Sequence, residues 1–340
     1  MAAADPLDYP FPTPDWDTPT TVADGVLWVR TRLPFALDHI NLWILDDGDS
    51  WTVIDTGVGD AATQTLWQGL LAGWLARQPV RRVLVTHFHP DHVGQAGWLV
   101  EATGAELAMS RTEWLTAKAL AHDDSPGFVA AGLRLDRLAG LEEELIRERQ
   151  ARGNLYRKAV RTPPPSFSRL QAGDVLQLAG ARFEVIVGEG HAPEQVTLAS
   201  LERRILIAAD QVLPRISPIV GVWPQTPEAD PLGDFVGSLG RYAALPQDML
   251  VLPSHGLPFY GLGTRLASLE AHHDERLART LELCARPVTA SAVMRGLFSR
   301  RPLTVQDIGF ALAETLAHLN RLVRAGQLAR GLARDGAWRF

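Results

Sequence analysis

Cysteine is almost absent from this chain: Cys284 is the only one among 340 residues. One thiol excludes an internal disulfide framework and any cysteine-rich zinc site, and its apolar flanks fit a core or interface position in a reducing, cytoplasmic setting. Long apolar runs are missing as well. No stretch approaches the roughly 20 uninterrupted apolar residues that cross a bilayer. The ten tryptophans are dispersed and do not flank such a stretch, so no membrane partner is expected. Met1 to Pro14 carries no basic stretch followed by an apolar run, and it does not read as a secretory signal. Positive charge is not in excess either. A net charge of −6 gives no general attraction for phosphate backbones, so nucleic acid is not the favoured partner. Arginine nevertheless gathers towards the C-terminus, at Arg295, Arg300, Arg301, Arg321, Arg324, Arg330, Arg334 and Arg339.

What the chain does have is apolar content of 46%, enough for one large domain and a small appendage. One device recurs along it. A short run rich in Val, Ile and Leu ends in a carboxylate or histidine beside small or turn-forming residues. Trp51 to Ile54 leads into Asp55-Thr56-Gly57, and Arg82 to Thr86 into His87-Phe88-His89-Pro90-Asp91-His92. Phe183 to Val187 leads into Gly188-Glu189-Gly190-His191, Ile205 to Ala209 into Asp210, and Met249 to Pro253 into Ser254-His255. Such runs read as strands buried on both faces, and polar groups at the ends of several strands build a site there. Helical spacing between the strands, over Ala61 to Arg77 and Gly94 to Ala102, predicts an α/β layered domain.

Two segments differ from this pattern. From about 110 to 165 the chain is rich in Leu, Ala, Glu and Arg, which predicts a helical insertion stopped by Pro163-Pro164-Pro165. From 287 to 340, Val288 to Arg300 predicts one helix. Thr304-Val305-Gln306-Asp307 opens a longer one to about Ala325, Gly326 closes it, and a hairpin turns at Asp335-Gly336. Helices followed by a β-ribbon predict a winged-helix-like C-terminal module. The expected division is therefore an extension over 1–19, a catalytic domain over 20–280 and this module over 287–340. An apolar face on the long C-terminal helix suits a homodimer.

The run from His87 to His92 sets four ligand-type side chains within six residues. His87 and His89, two apart at a strand end, point to one face and can grip one ion, while Asp91 and His92 open the next helix beside a second. Imidazole and carboxylate in this mixture suit zinc, iron or manganese, with zinc the default for hydrolysis.

His-x-His-x-Asp-His after a strand, followed by a histidine, an aspartate and a histidine at strand ends, resembles the metallo-β-lactamase superfamily. The resemblance covers roughly Thr20 to His273 and implies an αββα sandwich. It further implies that His87, His89 and His191 hold one divalent metal ion, that Asp91, His92 and His255 hold a second, and that Asp210 bridges them. Asp55 would support the site by hydrogen bonding to a ligand. The only thiol is remote from this pattern, which argues against β-lactamase activity, and the intact His89 argues against the flavodiiron branch.

The implied function is that of a bacterial-type hydrolase in which a hydroxide shared by two cations attacks a small ester, thioester or lactone, with Asp91 orienting the nucleophile and moving its proton. Arg215, Tyr260 and His273 are candidate substrate contacts. Two alternatives stay open. The lactamase-like endoribonucleases join this fold to a winged helix and cleave single-stranded RNA, and the sulfur dioxygenases use the same motif with a single iron. The acidic net charge weighs against RNA.

Overall fold

The protein is described by a computed structural model that covers residues 6–35, 37–299 and 303–340. Arg300 and Arg301, two of the C-terminal arginines, lie outside the described residues. In chain order the elements begin with strands β1 (Thr20–Ala23), β2 (Val26–Arg32), β3 (His39–Asp46) and β4 (Trp51–Ile54), then helix α1 (Ala61–Ala72) and β5 (Val80–Leu84). Next come α2 (Pro90–Val93), α3 (Ala96–Thr103), β6 (Glu106–Met109), α4 (Arg111–His122), α5 (Pro126–Leu138), α6 (Glu143–Arg152), α7 (Leu155–Ala159) and β7 (Ser168–Arg169). They are followed by β8 (Val175–Leu178), β9 (Ala181–Gly188), β10 (Gln195–Ser200), β11 (Ile205–Ala209), α8 (Pro231–Ala243) and β12 (Leu250–Pro253). The chain closes with α9 (Leu262–Leu283), α10 (Ala290–Leu297), α11 (Val305–Arg324), β13 (Gly331–Leu332) and β14 (Trp338–Arg339).

Contacts divide the chain into two compact units. The first comprises Met1–His122, Tyr156–Pro218 and Gly240–Leu266 and contains both large sheets. One sheet runs β1 to β7 in sequence order, and the other runs β12-β11-β10-β9-β8. Parallel pairing of β4 with β5 and β5 with β6 requires crossovers, which α1 and α3 supply. Between the sheets lies one core, where Trp28, Trp43, Ile54 and Leu84 meet Phe183, Val196, Ile207 and Leu252. On the outer face of the first sheet, Trp67 and Leu70 of α1 and Leu99 of α3 cover Val53, Val83 and Leu107. On the outer face of the second, the Tyr242 hydroxyl at the end of α8 meets Thr197 of β10 at 3.1 Å. Helices outside two stacked sheets make this the expected αββα sandwich. Strands β10 and β11 are both fully buried, which explains the unbroken apolar sequence of β11, while β10 also carries the buried polar residues Gln195, Thr197 and Ser200.

The strand ends are tied across the sheets. Asn41 on β3 is fully buried, and its amide donates to the carbonyls of Pro253 and Gly256 at 2.9 and 2.8 Å. Its Oδ1 accepts from the Trp28 indole at 2.8 Å. One asparagine thus fixes the loop that carries His255.

The second unit comprises Asp123–Leu155, Ile219–Leu239 and Ala267–Phe340. Helix α11 opens with a capping box between Thr304 and Asp307, as that spacing predicts, and the chain leaves it through Gly326 at φ +70°. Its buried stripe includes Leu312, Leu316 and Leu319. The ribbon β13–β14 turns at Gly336, and Phe340 exchanges backbone hydrogen bonds with Val288. Gly140 accepts a positive φ where a side chain would strike Thr289. Among the described residues, no helix is long and apolar enough to cross a membrane.

Candidate metal centre

Every candidate donor sits where a strand stops. After β5 the chain passes through Thr86 and His87 and enters α2, whose first turn holds Asp91 and His92. His191 follows β9, Asp210 follows β11 and His255 follows β12. The backbone is left-handed without glycine at the end of β11, at Ala209 with φ +47°, and just after β4, at Asp55 with φ +60°. Non-glycine residues rarely hold that conformation, and they do so chiefly where a site demands it.

The donors form two groups. In the first, His87 Nε2 lies 3.0 Å from His89 Nδ1 and 3.2 Å from His191 Nε2, and His191 Nε2 lies 3.3 Å from Asp210 Oδ2. In the second, His255 Nε2 lies 3.4 Å from Asp91 Oδ2, and His92 Nε2 lies 3.7 Å from the same oxygen. Asp210 Oδ1 faces this second group, 3.5 Å from His92 Nε2 and 3.4 Å from His255 Nε2. One carboxylate therefore addresses both groups, an oxygen to each.

A fit to divalent cations follows from what these atoms lack. His92 Nε2, His255 Nε2 and Asp210 Oδ1 are buried and have no hydrogen-bond partner. Buried polar atoms are rarely left so, and three converging on one point call for a cation. The far sides of the rings are satisfied. His92 Nδ1 meets Asp55 Oδ2 at 2.8 Å, His255 Nδ1 donates to the His39 carbonyl at 2.7 Å, and His87 Nδ1 meets Thr86 Oγ1 at 3.0 Å. Such partners fix the ring orientation and leave the opposite nitrogen to bind.

The electrostatics divide the donors into rings that are neutral already and rings whose proton a cation would have to displace. Burial, reinforced by the neighbouring imidazoles, holds His87 and His89 well below the usual histidine range, so both present lone pairs. For Asp210, burial opposes ionisation, yet His255 and His92 hold the carboxyl well below its ordinary range. At His92, burial is outweighed by Asp210, Asp55 and Asp91, which raise the imidazole well above its usual value.

Asp55 is itself braced, since its Oδ1 accepts from the Thr86 backbone N–H at 2.8 Å. Gln195, fully buried on β10, presents its amide oxygen to the N–H groups of Gln211 and Asp210 at 2.7 and 3.1 Å in the orientation that satisfies both. Sequence reasoning missed Thr86, Gln195 and His39, whose hydroxyl, amide and backbone groups act only through the assembled fold.

The three candidate substrate contacts separate. Arg215 is exposed, its guanidinium 5.3 Å above the Tyr9 ring. Its loop is pinned by the buried Arg265, which donates to the carbonyls of Leu213 and Ile216. Tyr260 is 37% exposed and exchanges backbone hydrogen bonds with Asp8. His273 belongs to the second unit and is 2% exposed, its ring 5.5 Å from both Phe235 and His318. Its Nδ1 lies 3.4 Å from His318 Nε2.

Residues 36–255 match the model of the metallo-beta-lactamase superfamily, and residues 277–340 match that of the metallo-beta-lactamase-like C-terminal domain. A beta-lactamase domain protein from Burkholderia ambifaria superposes with a TM-score of 0.90 at 40% identity, over 98% of this chain and 97% of that one. A metallo-beta-lactamase family protein from Thermus thermophilus superposes with a TM-score of 0.79 at 31% identity, over 94% of this chain and 99% of its own. In sequence, an acyl-coenzyme A thioesterase of Homo sapiens is 25% identical over 71% of this chain and 81% of its own length. A hydroxyacylglutathione hydrolase of Pseudomonas entomophila is 31% identical over 41% of this chain and 48% of its own.

Proposed function

Because the chain belongs to the metallo-beta-lactamase superfamily, we propose that it is a cytoplasmic two-cation hydrolase of small thioesters, with esters and lactones as related substrates. The observation that carries this reading is the division of the Asp210 carboxylate between two donor groups, with three partnerless atoms in the second. His87, His89 and His191 would hold one divalent cation, Asp91, His92 and His255 the other, and Asp210 would span both. Zinc is the default occupant, with iron and manganese suited to the same donors.

The chemistry that cations supply at such a site is acidification of water and polarisation of a substrate carbonyl. The chain's own part is positional. Asp55 holds the Nδ1 proton of His92, and the His39 carbonyl holds that of His255, so both Nε2 atoms stay aimed inward. Of the site carboxylates, Asp91 has a side-chain exposure of 16%, against 8% for Asp210 and 1% for Asp55. It is therefore the group that can take a proton from an incoming water and pass it to solvent or to the leaving thiolate. Arg215 and Tyr260, five residues beyond Asp210 and His255, would contact the acyl carrier.

Thioesters are preferred because two of the similar proteins bear thioester-hydrolysing names, while the net charge of −6 disfavours RNA. The segment 287–340, winged-helix-like in this reading, then serves packing or dimerisation. The test is a panel of acyl-coenzyme A and acyl-glutathione thioesters, lactones, phosphodiesters and short RNA, offered to protein loaded with zinc, iron or manganese. Thioester turnover abolished by chelation is expected. Cleavage of RNA alone, or oxygen consumption with a persulfide by the iron form, would overturn the proposal.

A further inference from the structure

Glu113 is fully buried and has no part in the chemistry above. Its place in the sequence, three residues after Ser110 at the start of α4, has the spacing of a capping box, in which the glutamate turns back to the helix start. Here it turns elsewhere. Its Oε2 accepts the Phe88 N–H at 2.9 Å and its Oε1 accepts the Glu194 N–H at 2.6 Å. Phe88 stands between His87 and His89, and Glu194 ends the short loop begun by His191. One carboxylate thus cross-links the two loops that carry every histidine of the first donor group.

The surrounding bonds make the same clamp. The Tyr156 hydroxyl donates to the Phe88 carbonyl at 2.6 Å, so the peptide groups on both sides of Phe88 are held. The Thr112 N–H donates to the Glu194 carboxylate at 3.1 Å, returning the contact from helix to loop. The second donor group is braced by other means, His92 by Asp55 and His255 by the His39 carbonyl. An ionised carboxylate is costly to bury, and it suits this place because two oxygens can accept two diverging N–H groups through charge-assisted bonds.

We propose that Glu113 is a positioning residue for the first donor group, fixing the mutual geometry of His87, His89 and His191 as they take up a cation while leaving the second group unaffected. The inference rests on the two-cation reading above. Glutamine at this place offers one acceptor and turns an N–H donor towards the other backbone N–H. Alanine offers neither.

The test uses the full chain as wild type, Glu113→Gln, Glu113→Ala and Tyr156→Phe, stripped with chelator and titrated with Zn2+ against a chromophoric competitor. Metal content and unfolding of the metal-free protein are measured in parallel. Wild type is expected to bind two cations. Glu113→Gln should keep one with unchanged affinity and bind the other at least about tenfold more weakly, without a lower unfolding temperature when metal-free. Adding His255→Ala to Glu113→Gln should then leave no tightly bound cation, whereas His255→Ala alone keeps one. Tyr156→Phe should show the same selective weakening to a smaller, few-fold extent, and it carries the test if Glu113→Ala does not fold.

Two cations at wild-type affinity in Glu113→Gln would overturn the inference, as would parallel loss of both cations with a lowered unfolding temperature. Wild-type protein that takes up no cation would instead overturn the two-cation reading itself.

Discussion

The Asp55 carboxylate and the His92 ring meet at 2.8 Å with both side chains sealed from solvent. Asp55 also accepts the Thr86 backbone N–H through its other oxygen at 2.8 Å. Asparagine has one acceptor for these two N–H donors, so whichever way it turns one is left unpaired. Asp55→Asn is therefore expected to weaken binding at the second donor group by about 10- to 100-fold and spare the first. Zinc titration of the metal-free variant reads this directly. Equal weakening at both groups would contradict the assignment of Asp55 to His92.

Asp210 offers the complementary case, because its two oxygens face different groups. Asp210→Ala should weaken both, leaving at most one bound cation and lowering thioester turnover by at least about a hundredfold. His89→Ala removes a donor from the first group alone, and it should lose one cation and keep the other. Elemental analysis after desalting separates the outcomes, and two retained cations in either variant would refute the grouping.

How much of this could be read from sequence depends on whether a residue's role is local. His87 to His92 declare themselves because six consecutive positions beyond a strand end carry four donors, although it is the bend at 87–89 and the first turn of α2, not strand alternation, that place them. His191, Asp210 and His255 are legible because each comes within three residues of the end of a strand rich in Val, Ile, Leu or Ala; β11 and β12 are fully buried, whereas β9 exposes Arg182 and Glu184. Glu113 is not legible in this way. Ser110 and Glu113 spell a helix cap, and only the packing of α4 against two distant loops diverts the carboxylate to Phe88 and Glu194. The surroundings of His273 are not legible either. A histidine near the end of the family-like region resembles a site residue, yet helix spacing places it beside Phe235 and His318. The helical insertion is visible in composition. Its division between two compact units is not, since that depends on contacts far apart in sequence.

Glu113 also makes stability depend on pH in a direction that identifies it. Burial, opposed by the Glu194 and Phe88 N–H bonds, pushes its carboxyl up from 4.5 to about 7. The folded state then holds this proton more tightly than the unfolded state does. The contribution to stability is full below about pH 4.5 and is lost as pH rises through about 7, roughly 3 kcal/mol in all. Glu113→Gln cannot titrate, so subtracting its stability from that of wild type removes the shared contribution of the site histidines. In urea unfolding with chelator present, the difference should move against wild type by about 2 kcal/mol between about pH 5.5 and pH 8.5. Wild type should therefore compare worst with the variant in alkali, where its clamp on the two histidine loops carries a full charge. A difference that stays flat over this range would mean that the buried carboxylate titrates as an ordinary one.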